Sequence, residues 1–405
     1  MPRNVVFVAP FPTETTLRFV RAAARLEDVR LLGIVQTPPS GQDARYFDDI
    51  VRVTDPLSTS DIIDATEIFR RRHGAPHRII GIVEALMVQL AQARTHFQVP
   101  GTSPRVAELF RDKAMMKDAL RDGGLPVARH QLVRSQADAK KFAELVGFPM
   151  VLKPPAGMGA KATFRVSSPE ALARAVEGMG ASEQRPLLAE EFLRGREFSF
   201  ETVTCGGKPQ VDSISHYLPT CLEVLENEWI QWCCMLPRDI GGEEYKEARA
   251  MGQRAVKTLG LDDGMTHMEW FQRADGSLVI GEIAQRPPGA NITRMTGLAH
   301  DIDPYRAWAR AVVDGQFDGP WERKFAVGCA FLRGMGRGRV AGVTGVHETH
   351  EAVGKWIVEA NLPNLGAPKS DGYEGDGYVI VRDPSTAVVQ KLLATIIDTI
   401  KVHYA

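Results

Sequence analysis

Apolar residues open the chain as short runs separated by stretches with helical spacing. Val5–Ala9 is the first run. Leu17, Val20 and Ala24 then recur at helical intervals over 17–26, and Val29–Val35 is a second run. Arg78–Val83 reads as a further strand and Glu84–Phe97 as a helix. Strands alternating with helices predict parallel βαβ units, so the first hundred residues are expected to form an open α/β domain. Ligands of such sheets lie beyond the carboxyl ends of the strands, which singles out Thr13–Thr16 and Glu84. The first turn, Ala9-Pro10-Phe11-Pro12-Thr13, lacks G-x-G-x-x-G, which argues against a dinucleotide site.

Pro100-Gly101-Thr102-Ser103-Pro104 interrupts the pattern and marks a boundary. Arg105–Asp122 reads as one helix stopped by Gly123-Gly124. A smaller α/β unit follows: helix Ala137–Val146, strand Phe148–Lys153, a glycine- and proline-containing loop over 154–161, strand Thr163–Val166, helix Pro169–Glu177 and strand Leu187–Phe192. Strand patterns then dominate at 197–204, 211–216 and 221–236, with a helix at 244–259. Met265–Gln272 and Ser277–Ile283 flank Ala274-Asp275-Gly276, a hairpin signal. Asp303–Asp314 is a helix, hairpin-like pieces lie at 334–345 and 371–381, and Thr386–Val402 is a last amphipathic helix. The expected division is 1–103, an α/β domain; 104–319, a core with a small subdomain over about 125–192; and 320–405, a separate α+β unit.

Composition narrows the function. The 405 residues carry 49 Lys+Arg against 50 Asp+Glu, a net charge of −1 that supplies no field for gathering nucleic-acid phosphates. No apolar run reaches the roughly 18 residues of a membrane span. The five cysteines form no C-x-x-C pair, which predicts reduced thiols in a cytoplasmic protein.

Three groups of residues carry chemistry. Glu269 and Glu282 lie on strands joined by the Asp-Gly hairpin, so both carboxylates can share one face. Two carboxylates in an apolar setting repel unless a cation lies between them. Mg²⁺ held by few carboxylates and nucleotide phosphates is the usual solution. Arg286 follows at the strand exit. Lys153 ends an apolar strand and precedes the 157–161 loop, whose backbone N–H groups could cradle polyphosphate. Glu190-Glu191-Phe192-Leu193 runs into Gly195-Arg196-Glu197, a connection whose backbone could read an adenine edge while Glu197 accepts ribose hydroxyls.

Taken in order, Lys113, Lys153, Glu190-x-x-Leu193, Glu197, Glu269 and Glu282-Ile283-x-x-Arg286 resemble the ATP-grasp superfamily over about 105–315. The resemblance implies an ATP-grasp fold, α/β and α+β, behind a Rossmann-like pre-ATP-grasp domain. It makes Lys113 and Lys153 phosphate-binding lysines and 157–161, with Gly157, Met158, Gly159 and Ala160, the phosphate lid. Glu190, Glu191, Phe192 and Leu193 become the adenine hinge, Glu197 the ribose ligand, and Glu269 and Glu282 the ligands of Mg²⁺ or Mn²⁺. Arg286, with Lys153, becomes the catalytic residue that steadies a phosphorylated intermediate. Many members carry Asn two residues after the second metal Glu; here that position is Ala284. Phe331-Leu332-Arg333, Gly342-Val343-Thr344-Gly345 and Gly377-Tyr378-Val379-Ile380 resemble the L-amino-acid ligase branch. That branch implies amide formation between a small carboxylic acid and an amine through an acyl-phosphate, releasing ADP and phosphate, in a possible homodimer. Carboxylase, formyl-transfer and non-catalytic nucleotide-binding readings stand beside it.

Substrate contacts are expected from Glu84, His216, Trp232, Arg286, Gly289 and Arg294, with Trp229 and Met295 hinting at an apolar component. His347-Glu348-Thr349-His350 spaces its histidines three apart in β-like sequence, unlike the zinc motif H-E-x-x-H.

Overall fold

The computed structural model describes residues 2–157 and 163–405. Four parallel strands, β1 (Arg3–Val8), β2 (Val29–Val35), β3 (Asp49–Arg52) and β4 (Pro76–Ile80), form the first sheet in the order β3-β2-β1-β4. Helices Glu14–Ala24, Thr59–His73 and Met87–Phe97 cover it. Burial on both faces explains why Val5, Val6, Phe7 and Val8 are continuous apolar positions with no accessible surface. Thr13 caps the first helix by accepting the N–H of Thr16.

The single helix expected over 105–122 is two, Pro104–Arg111 and Lys113–Asp122. Asp112 takes an extended conformation between them, and its carboxylate accepts the N–H groups of Ala114 and Met115, both at 2.9 Å. A capping side chain outcompetes continuation of the first helix, and it leaves Lys113 at the start of a new one.

The small subdomain has an antiparallel sheet of β5 (His130–Val133), β6 (Met150–Lys153), β7 (Phe164–Val166) and β8 (Leu187–Glu191), ordered β5-β8-β6-β7. Helices Gln136–Val146 and Pro169–Met179 bury Phe142, Leu172 and Val176 against it.

The remaining strands are β9 (Arg196–Cys205), β10 (Lys208–Leu218), β11 (Trp232–Leu236), β12 (Gly264–Gln272), β13 (Leu278–Ala284), β14 (Ala326–Leu332), β15 (Val340–Thr344), β16 (Ile357–Asn361), β17 (Gly377–Asp383) and β18 (Lys401–Tyr404). Eight of them make one antiparallel sheet, β13-β12-β9-β10-β11-β14-β17-β16; β15 and β18 pair separately. This sheet crosses the expected boundary at 319/320, because β11 pairs with β14 from Trp232↔Phe331 to Leu236↔Val327. The C-terminal strands therefore extend the core sheet and are not a free-standing unit. Helix Glu243–Leu259 lies close on the sheet: a Cβ at Gly252 would fall 2.4 Å from the Phe200 ring, so only glycine permits this approach.

Two segments differ from their sequence reading. Residues 221–236 are a short helix, Cys221–Glu226, followed by β11. His347 and His350 lie on helix Val346–Val353, where His347 pairs with Glu351 at an exposed i,i+4 site. Among the described residues no helix is long and apolar enough to cross a membrane.

Candidate active site

The small subdomain, the start of helix Lys113–Asp122 and the β12–β13 hairpin enclose a cavity of about 600 Å³. Its charged wall is built first from lysines. Lys153 ends β6 and reaches Glu190 Oε2 on the neighbouring β8 at 2.9 Å. Lys113 Nζ donates to the Gly157 carbonyl at 3.1 Å and lies 3.3 Å from Glu282 Oε2. Lys117, fully buried one helical turn beyond Lys113, lies 3.3 Å from Glu190 Oε1 and donates to the Gly281 carbonyl.

These charges set one another. Burial pushes the Glu190 carboxyl up, but Lys117 and Lys153 outweigh it and hold Glu190 below its ordinary range. Burial likewise opposes ionisation of Glu282, yet Lys113, Lys153 and Lys117 hold it down at about 2. Burial works against the charge of Lys153, while Glu190, Glu282 and Glu269 lift its pKa overall. Lys117 moves the other way: burial, aided by Lys153, outweighs Glu190 and lowers it.

Glu269 and Glu282 are direct cross-strand partners, next to an irregularity in the β12–β13 register. Glu197 stands beside them on the same cavity wall. Burial and the Glu269 charge raise its carboxyl to about 8, against the N–H that Cys221 donates to Oε2 at 2.9 Å. Such crowding of carboxylates is what a divalent cation relieves, and the all-oxygen donor set suits Mg²⁺ or Mn²⁺. Among the described residues, no three His, Cys, Asp or Glu side chains are placed to hold a metal unaided. The Glu269–Glu282 pair would thus share the ion with phosphate oxygens. His267 backs the pair, with Nδ1 3.0 Å from Glu201 and Nε2 3.7 Å from Glu269. It faces Ala284 across the hairpin. Burial disfavours the imidazolium, but bonds to Glu201 and Glu269 raise its pKa to about 9.

Arg286 lines the cavity and is held by Glu84 from the first domain, Nε to Oε2 at 3.0 Å. Burial opposes its charge and the Glu84 carboxylate more than restores it. Glu84 also accepts from Arg111 at 3.0 Å. It is buried between two arginines and does not itself line the cavity. Its place is behind Arg286, which corrects its reading as a substrate contact.

Glu190, Glu191, Phe192, Leu193 and Gly195 line the wall opposite. The Glu191 carboxylate turns away to Arg129 and Arg273, each at 3.1 Å. Gly195 is required because a Cβ would sit 2.2 Å from the Gln272 carbonyl oxygen. Arg165 lies over the Phe192 ring, 4.7 Å from its centroid, and pairs with Glu226 at 3.1 Å. Gly157 and Gly289 also line the cavity. Met158, Gly159 and Ala160 lie outside the described residues.

Three expected substrate contacts are placed elsewhere. His216 bonds the Tyr245 hydroxyl at 2.9 Å and meets the Phe198 ring edge-on; burial, then Arg196, lowers its pKa to about 4. Trp232 is fully buried against Phe331, Tyr217 and Tyr373. Arg294 pairs with Glu359 at 2.7 Å. Each is absorbed by packing or pairing on the sheet. All five cysteines are free and buried, and burial raises Cys233 to about 12. Sequence reasoning missed Lys117, Arg111, His267, Tyr217 and Tyr373. The spacing of Lys117 four residues after Lys113 put both on one helical face and was a usable signal.

Two sheets closing over lysines, with a carboxylate pair and an arginine opposite, form a cavity whose charges suit a polyphosphate and a divalent cation. The ATP-grasp domain family model matches residues 118–295 of this chain. The L-arginine-specific L-amino acid ligase of Bacillus subtilis is 26% identical over 255 residues, covering 62% of this chain and 61% of the relative. The carbamoyl phosphate synthase large chain of Clavibacter michiganensis is 24% identical, over 65% of this chain and 24% of its own length. This chain thus spans about three fifths and one quarter of those two relatives. Formate-dependent phosphoribosylglycinamide formyltransferase of Bacteroides fragilis is 23% identical, over 84% of this chain and 89% of the relative. The crystal structure of an L-amino acid ligase from Bacillus licheniformis superposes with a TM-score of 0.81 at 17% identity, covering 100% of this chain and 99% of that one.

Proposed function

We propose that this protein is an ATP-dependent carboxylate–amine ligase that forms an amide through an acyl-phosphate, releasing ADP and phosphate. The observation that carries the reading is one cavity with Lys113 and Lys153 beside the Glu269–Glu282 pair and Arg286 beyond it. Similarity to the B. subtilis amino acid ligase supports the choice of acid and amine.

The lysines hold the phosphates so that a substrate carboxylate oxygen meets the γ-phosphorus in line with the departing ADP. Glu269 and Glu282 would hold Mg²⁺ or Mn²⁺, which when bound neutralises phosphate charge. An amine lone pair then attacks the acyl carbon, the carbon–oxygen bond to phosphate breaks, and the amine nitrogen loses a proton. Arg286, kept in place by Glu84, stabilises the oxyanion at the acyl carbon. The backbone of 190–193 and the Glu197 carboxylate receive adenine and ribose.

Phosphate and ADP release from Mg²⁺-ATP with pooled acids and amines tests this reading. Release should require both partners, and AMP with pyrophosphate would contradict the acyl-phosphate. A formyl-transfer reading draws on the extent of the formyltransferase match and requires formate as the acid.

A further inference from the structure

A second recess, of about 710 Å³, shares no lining residue with the catalytic cavity. It lies between the start of β10, the turn after β11, helix Glu243–Leu259 and the segment leading into β14. Three arginines, Arg238, Arg249 and Arg323, line it with two carboxylates, Asp212 and Asp239. These charges do not cancel evenly. Arg249 engages both oxygens of Asp212, Nε to Oδ1 at 3.0 Å and Nη2 to Oδ2 at 3.3 Å, and Gln253 donates to the same Oδ2 at 2.8 Å. Asp239 is exposed and accepts the Gly241 N–H at 2.8 Å. Among the described residues, Arg238 and Arg323 bond only neutral oxygens. Arg238 Nη1 donates to the Pro384 carbonyl at 3.4 Å, Arg323 Nη1 to the Pro237 carbonyl at 2.6 Å and Arg323 Nη2 to the Ser213 hydroxyl.

Arg323 carries the largest imbalance. A guanidinium has five N–H groups, and here two are used, both on neutral oxygens. Its Nε is sealed from water and has no partner among the described residues. Burial pulls its pKa down to about 10, and the more distant charges of Glu201 and Asp212 do not restore it. A buried charge without a counter-ion is costly, and the other arginines packed on this sheet avoid that cost. Arg286 has Glu84, Arg294 has Glu359 and Arg249 has Asp212. The recess also has an aromatic wall, Trp321 against His300 with ring centroids 5.6 Å apart. Burial, then the Arg323 charge, lowers His300 to about 4, so the imidazole is neutral beside the guanidinium.

We propose that this recess is a second ligand site, for a small metabolite whose phosphate or carboxylate group is held by Arg323 and Arg238 while its remainder lies against Trp321. The oxyanion supplies the counter-ion that Arg323 lacks, and the fork of N–H groups on a guanidinium matches the oxygens of either acid. The volume exceeds what a bare ion fills and suits a molecule of metabolite size. Since the recess contains none of the lysines, carboxylates or Arg286 of the catalytic cavity, its occupant is not one of the reacting molecules.

The test is equilibrium dialysis of the full chain against labelled inorganic phosphate and, separately, labelled succinate, each with and without excess Mg²⁺-ADP to fill the catalytic cavity. At least one of the two anions should bind once per chain with Mg²⁺-ADP present, and the one that binds more tightly names the acid group of the ligand. Arg323→Met should weaken that binding at least tenfold and Arg238→Ala at least threefold. Binding of neither anion overturns the proposal. Binding that Mg²⁺-ADP abolishes assigns the anion to the catalytic lysines and also overturns it, as does wild-type affinity in Arg323→Met. If Arg323→Met does not fold, Arg238→Ala decides, because that side chain is exposed and its loss leaves the core intact; wild-type affinity there overturns the proposal.

Discussion

The two ends of the cavity are built on different principles. The nucleotide end is a lattice of charge: three lysines and two carboxylates within hydrogen-bonding or ion-pairing reach, drawn from one helix start, two strands and a hairpin. The other end is mostly aromatic and aliphatic, drawn from β10, the segment after β13 and a loop of the last strands. Charges buried together are costly unless every partner is present, so the first end tolerates little change in residue type or spacing. Apolar walls accept many side chains of similar volume, so the second end can be retuned without loss of fold. On the proposed ligase reading, the scaffold keeps one nucleotide chemistry while the acid and amine it joins vary.

Changes at the charged end should have the largest effects. Glu282→Ala removes a carboxylate of the proposed metal pair and a partner of Lys113, and phosphate release should fall by about a thousandfold or more while the protein stays folded. Wild-type-like turnover of that variant would sink the metal assignment. Lys117→Met touches no substrate but strips Glu190 of one of its two buried cations. Breaking a buried pair on one side costs about 3–5 kcal/mol, so thermal unfolding should show a clear drop. An unchanged melting temperature would mean that Lys153 alone satisfies Glu190.

The aromatic end supplies the next contrast. Trp232→Ala should cost about 3–5 kcal/mol of stability, because the ring is fully buried in a cluster. Trp229→Ala should stay within about 0.5 kcal/mol, because Trp229 is 66% exposed. Similar losses in denaturant melts of the two variants would contradict the different places assigned to these tryptophans.

The smallest effect is a pH limb. His216 is held neutral, its pKa lowered from 6.5 to about 4. The unfolded chain takes up this proton near 6.5 and the folded chain only near 4. Stability from this group is therefore complete above the unfolded value and is lost as pH falls across that window. His216→Phe should therefore flatten the acid limb of unfolding between about pH 6.5 and 4. A variant with the wild-type slope would show that other groups set it.

The charged end was legible in the sequence because its residues sit at element ends with fixed offsets. Lys153 closes a strand, and Glu269 and Glu282 flank a turn with an Asp-Gly signature; the structure puts these carboxylates in register. The parallel first sheet was legible from its buried runs. Other features depended on contacts distant in sequence. His216 alternates as a cavity residue would, but Tyr245 on another element claims it. Glu84 sits at the end of a strand region facing the cleft, yet two arginines occupy its carboxylate. Residues 221–226 are helical because Thr220 caps them by accepting the Glu223 N–H, a local signal that the strand-like pattern around Trp229 and Trp232 obscured. The continuity of β11 with β14 could not be read from local periodicity at all, since it pairs segments nearly a hundred residues apart.

The central claim is that ATP cleavage here is coupled to joining an acid and an amine. Its most direct test is release of ADP and phosphate from Mg²⁺-ATP across pools of amino acids and small carboxylic acids, with and without bicarbonate. The account predicts release only when an acid and an amine are present together, with ADP and phosphate formed in equal amounts. Release with bicarbonate alone, or AMP and pyrophosphate as products, would contradict it.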